Sequence, residues 1–161
     1  MIGWKTINDS ANPSSRTPHN TTEEVTMTTG AWDPDKKTTH QEVVIDAALL
    51  KRLLQIALQD SLEDLPDLMS AEDQQGNAIM LAGQSAWDAA LNDYADAELI
   101  ALIKFFTLVE MQLPSWVGGS QSPVIAITAL LKHRGVKLER DLLLWIRKHS
   151  NNRFIPNGAI L

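Results

Sequence analysis

The chain has no cysteine among its 161 residues. A disulfide framework, a thiolate zinc site, an iron–sulfur cluster and a cysteine nucleophile are therefore excluded. It also lacks an uncharged apolar run of about 18 residues, the length at which a membrane-spanning helix would be expected. Basic residues are missing over a long stretch. Between Arg52 and Lys104 there is no lysine or arginine, while ten Asp and Glu lie from Asp60 to Glu98. The first 25 residues are polar and have no apolar centre of the secretory-signal kind. These absences lead to the expectation of a soluble, cytoplasmic protein without a membrane partner. No repeat recurs at a fixed period.

What is present suits a globular core. The chain is 44% hydrophobic, and its length corresponds to one domain or one domain with an appendage. Charge is unevenly placed. Residues 1–110 carry 18 acidic and 7 basic side chains, and residues 111–161 carry 2 and 7, so a net −6 divides into −11 and +5. Such a division either orients a partner or lets opposite poles face each other within the fold.

Residues 1–42 read as a polar arm. Thr, Ser, Asn and Pro dominate, and Ile2, Trp4, Ile7, Val25, Met27 and Trp32 are too scattered to line a helix face. Thr22–Thr29 and Thr38–Ile45 flank the turn signals Gly30 and Asp33-Pro34-Asp35, giving a β-hairpin as one reading and an irregular arm as the other.

From residue 43 to residue 161 the apolar period becomes helical, and the fold class expected is mainly α: a compact bundle of about five helices. The first helix is expected over Val43–Gln59. Short turns follow around Pro66, then a short helix over Ala71–Leu81 weakened by Gly76. Ser85 with Asp88 resembles a capping box for a helix bearing Trp87, Leu91 and Tyr94. Asp93 or Asp96 is expected to cap the next helix, Ala97–Gln112. This helix is apolar almost all round, leaving Lys104, Thr107 and Glu110 as a narrow polar stripe, which marks the centre of a bundle. Ser122 and Pro123 open a helix closed at Arg134-Gly135, and a last helix spans Leu138–His149.

Candidate sites are few. The loop Trp116-Val117-Gly118-Gly119-Ser120-Gln121-Ser122 leads into a helix start. With Trp116, Gly118, Gly119, Ser120, Ser122 and Arg153 it could form a pocket for an anion or a peptide carboxylate, although it lacks the Gly-Lys-Ser/Thr ending of a phosphate loop. The last two helices resemble a helix-turn-helix in outline. Lys132, Arg134, Lys137, Arg140, Arg147 and Lys148 could contact phosphates there, which makes nucleic-acid binding an alternative function. Against it, the would-be first helix is apolar on nearly all sides, and Glu139 and Asp141 stand where contacts are usually made.

Five tryptophans stand beside one tyrosine and three phenylalanines. Trp87 and Trp145 fall at core spacing, whereas Trp4, Trp32 and Trp116 are candidate interface anchors. The histidines, at 19, 40, 133 and 149, form no His-x-x-x-His or Glu-x-x-His pair, and no Gly-x-Ser-x-Gly occurs. A cavity holding Glu98 or Glu110 beside His133 would be needed for an enzyme reading. No motif calls for a cofactor or a metal. The expected function is a non-catalytic one: binding a protein partner, or self-association.

Overall fold

A computed structural model of the chain describes residues 42–156, which fall within one unit. The expected arm, with its hairpin, Trp4 and Trp32, lies outside the described residues except for Glu42–Ile45. Those four belong to no helix or strand, and Val43 and Ile45 lean on the core.

Among the described residues every regular element is helical. Five helices have eight residues or more: α1 (Ala47–Ala57), α4 (Gln84–Leu91), α5 (Asp96–Gln112), α6 (Pro123–His133) and α7 (Arg140–His149). Two single-turn helices, α2 (Leu65–Leu68) and α3 (Ala71–Gln74), and three 3₁₀ segments connect them. None of the helices is long and apolar enough to cross a membrane.

Local chemistry sets the boundaries. α1 starts later than the periodicity predicts because Asp46 accepts a hydrogen bond from the Ala48 amide at 2.9 Å and fixes the first turn. Ser70 caps α3 as expected, accepting from the Asp73 amide at 3.1 Å. The helix expected over Ala71–Leu81 instead tightens into a 3₁₀ run at Gln75–Leu81. Gly76 packs closely on Leu49 of α1: an added Cβ would stand 2.5 Å from the end of the leucine side chain, which would have to shift to admit it.

Two expected caps are replaced. α4 begins after Gly83 rather than at Ser85, and its Gln84 amide donates to Asp88 at 2.7 Å and to the Ala126 carbonyl at 3.1 Å. α5 begins after Ala95, whose amide is held at 2.8 Å by Glu98 reaching back one turn, so neither Asp93 nor Asp96 is the cap.

α5 is the centre of the bundle. Helices α1, α6 and α7 all pack on it, and Leu99, Leu102, Ile103, Phe105, Phe106 and Val109 are fully buried. Its polar stripe is narrower than the sequence suggests. Only Lys104 meets solvent. Thr107 is buried with its hydroxyl donating to the Ile103 carbonyl at 2.7 Å, and Glu110 is buried under a loop.

An edge-to-face chain of rings crosses the core. Trp87 meets Phe106 at 5.5 Å, Phe106 meets Phe105 at 5.3 Å, and Phe105 meets Trp116 at 6.5 Å between centroids. Such pairs add about 0.5–1.5 kcal/mol each beyond the area they bury.

A patch built over a buried carboxyl

α5 ends at Leu113-Pro114, and Pro114–Trp116 forms a 3₁₀ turn. Trp116, expected as an exposed anchor, is fully buried. The turn after Pro114 drives the indole inward, where it meets Phe105 and donates Nε1 to the Gln74 carbonyl at 3.0 Å. A core position and a satisfied donor explain this tryptophan.

The two glycines that follow have separate reasons. Gly119 has φ +56°, the left-handed region. Gly118 lies against the start of α6, where a Cβ would come within 2.7 Å of the Ser122 Cα. Ser122, buried beneath, caps α6 by accepting from the Val124 amide at 3.4 Å.

The loop covers Glu110, a residue only 8% exposed. Asn152, just beyond α7, donates its amide Nδ2 to Glu110 Oε2 and to the Gly119 carbonyl, each at 2.9 Å. The same side chain accepts from the Phe154 amide at 3.0 Å, so Asn152 joins α5, the glycine loop and the segment after α7. Burial pushes the Glu110 carboxyl above its ordinary pKa. Ser122 and Asn152 pull the other way and do not overcome it. Glu110 Oε1 has no hydrogen-bond partner among the described residues.

Above this carboxyl is a depression of about 320 Å³. Met111, Val117 and Phe154 stand on it, 45%, 59% and 51% exposed, and account for three of the eight large apolar side chains exposed among the described residues. Arg153 lines it too, its guanidinium 5.1 Å from the Phe154 ring centroid.

The anion or peptide pocket read from the sequence is thus partly assembled. Gly119 and Arg153 line one depression, Gly118 and Ser122 lie buried beneath it, Ser120 is exposed on the loop, and Trp116 is turned away into the core. An anion there would sit beside the Glu110 carboxyl. The apolar rim escaped the sequence reading. Of the neighbours Phe154 and Ile155, only Ile155 packs back on the core. The signal available was the turn chemistry around Val117, which forces an apolar side chain outward between a buried tryptophan and a buried glycine.

The basic helical pair differs from its outline. α6 and α7 pack mainly on α5 rather than on each other, so they do not make a helix-turn-helix unit. Arg134 does not face solvent as a phosphate contact. Its Nη1 donates to the Tyr94 carbonyl at 2.7 Å and to Asp96 at 3.1 Å, and its Nη2 to the Leu91 and Asn92 carbonyls at 3.1 and 2.8 Å. It closes the C-terminal end of α4, whose carbonyls lack helical partners. Lys132, Lys137, Arg140, Arg147 and Lys148 remain exposed.

The enzyme arrangement is not assembled at the carboxylates named for it. Glu98 is spent on its cap, and His133 is exposed and absent from the depression over Glu110. No family model matches the chain, no curated protein matches it, and no solved structure matches it.

Proposed function

We propose that the chain is a non-catalytic protein-binding module whose contact face is the patch formed by Met111, Val117 and Phe154. The observation that carries this reading is the convergence of three exposed apolar side chains on one depression. Exposed apolar residues scattered singly are ordinary, but gathered around a concavity they mark an interface. The backbone at Gly119 and Phe154 is held by the Asn152 hydrogen bonds, which lowers the cost of ordering the patch at binding.

The partner is an acidic segment carrying a large apolar anchor. The patch is drawn from the part of the chain with a +5 balance. Arg153 stands on it, and Arg147 and Lys148 precede it on the last turn of α7. Glu110, the acid beneath, is buried with Oε2 bound by Asn152, so it is not presented to an incoming carboxylate. The apolar anchor supplies affinity and the acids supply orientation.

Selection of displayed peptides against the whole chain tests this. Enriched peptides are expected to pair Leu, Phe or Trp with flanking Asp or Glu. Their binding should fall about tenfold or more with Val117→Ser plus Phe154→Ser, and should weaken as salt rises. Enrichment of nothing, or of peptides that bind this variant as well as the parent, overturns the reading. So does a self-association that buries the patch in a second copy.

A further inference from the structure

A second concavity lies along α5, lined by residues that the patch over Glu110 does not share. Its volume is about 670 Å³, within the range of small-molecule sites. Its floor is α5, through Ile100, Ala101, Lys104 and Leu108. One flank is the loop between α1 and α2, which carries Asp60 and Glu63, and the other is α7, which carries Trp145 and His149.

The flanks are preformed. Gln112 holds the loop by accepting from the Leu65 amide at 2.7 Å and donating to the Leu62 carbonyl at 3.1 Å. On α7 the His149 ring stacks on Trp145 with centroids 4.4 Å apart. His149 Nδ1 lies 2.8 Å from the Trp145 carbonyl, which can only accept, so Nδ1 carries the proton and Nε2 is left as the ring's other polar atom. Lys104 Nζ is 6.0 Å from the Trp145 centroid, and no carboxylate among the described residues comes within ion-pair distance of it.

The groove is therefore bipolar. Two acids line one flank, the Lys104 ammonium stands on the floor, and apolar side chains lie between. A simple anion would meet the acids, and a simple cation would meet Lys104. A molecule carrying both charges on an apolar body opposes neither.

We propose that this groove binds a small zwitterion of the apolar amino-acid class. Its ammonium lies toward Asp60 and Glu63, its carboxylate toward Lys104, and its apolar part on Ile100, Ala101 and Leu108. This site is separate from the patch over Glu110, and neither depends on the other.

The test uses the whole isotope-labelled chain and three probes: L-phenylalanine, phenethylamine, which lacks the carboxylate, and 3-phenylpropionate, which lacks the amine. Amide shifts at Ala101 and Lys104, and the Trp145 indole shift, report binding. L-Phenylalanine is expected to bind at least about threefold tighter than either single-charge probe, because it adds a second charge contact. Lys104→Met should remove that advantage over phenethylamine, and Asp60→Asn with Glu63→Gln should remove it over 3-phenylpropionate. All three residues are at the surface, so the variants are expected to fold. No shift at about 10 mM probe, an advantage below about threefold over either single-charge probe, or an advantage that survives both variants overturns the proposal.

Discussion

Asp73 and Glu110 are both buried carboxyls, 4% and 8% exposed, in two parts of the same bundle, yet they respond to burial in opposite ways. At Asp73 desolvation alone would raise the pKa. The hydrogen bond from Arg52 at 2.7 Å, the Ser70 cap and the Arg52 charge outweigh it, so this carboxyl lies below its ordinary value. At Glu110 desolvation wins. Its partners are neutral, an amide from Asn152 and the Ser122 hydroxyl, and Oε1 is left without a hydrogen bond. The contrast shows that depth of burial does not fix the charge state of an acid here. A half-exposed guanidinium makes one carboxyl a clamp between α1 and α3, while neutral neighbours leave the other with its charged form penalised.

Trp116 joins the two regions, so removing it has the largest expected effect. Its indole donates to the Gln74 carbonyl next to Asp73, and its backbone leads into the loop over Glu110. Trp116→Ala should cost about 3–5 kcal/mol in urea unfolding, as deletion of a fully buried large aromatic does. Gly118→Ala is confined to the second region. The new methyl would strike backbone at Ser122, so a loss of about 1–3 kcal/mol is expected, with exposed-amide changes limited to the glycine loop and to Ser150–Phe154. An equal disturbance at α3 would show that the regions are not separable.

Much of this bundle was legible in the sequence because burial writes a period. The sides of α5 carrying Leu99, Leu102, Ile103, Phe105 and Phe106 repeat at helical spacing, and so do Leu50, Leu53 and Leu54 of α1. The start of α6 at Ser122-Pro123 was also legible, because both residues have local geometric reasons to be there. The caps at Asp46 and Glu98 were missed, since several acids nearby could serve and only the tertiary fit selects among them. The site was less legible than the fold. Arg134 and Lys132 look alike in sequence, yet one is consumed by the end of α4 and the other is exposed. Trp116 is buried and Val117 exposed because the inward side of a turn after proline is decided by what it packs on. Nothing periodic marks the meeting of Met111, at the end of α5, and Val117, in the loop after it, with Phe154, which lies far on in the chain.

Asp73→Asn keeps the shape of the first carboxyl and removes its charge. At neutral pH the loss of a charge-assisted bond to a buried acceptor should cost about 1–3 kcal/mol. The sign with pH follows from the lowered pKa. The stabilisation is present above the unfolded value of about 3.9 and disappears as pH falls through the folded value, so parent and variant should converge in acid. Parallel unfolding curves at neutral and acid pH measure this. A gap that is unchanged in acid would mean that Asp73 acts through packing and not through the Arg52 pair.

Glu110→Gln should do the reverse, and with the smallest magnitude. The glutamine oxygen can still accept from Asn152, and its amide nitrogen, unlike Oε1, brings donors toward the Ser122 hydroxyl. No charge then has to be desolvated, so the variant is expected to be more stable than the parent by about 1 kcal/mol at neutral pH. Because the folded pKa is raised, the parent's full stability exists below the unfolded value of about 4.3. It declines as pH rises through the folded value and then levels off. The advantage of glutamine should therefore be absent in acid, open as pH rises, and hold constant beyond. If glutamine instead destabilises the chain most at neutral pH, the carboxylate is supported in its charged form, and the contrast with Asp73 is one of degree only.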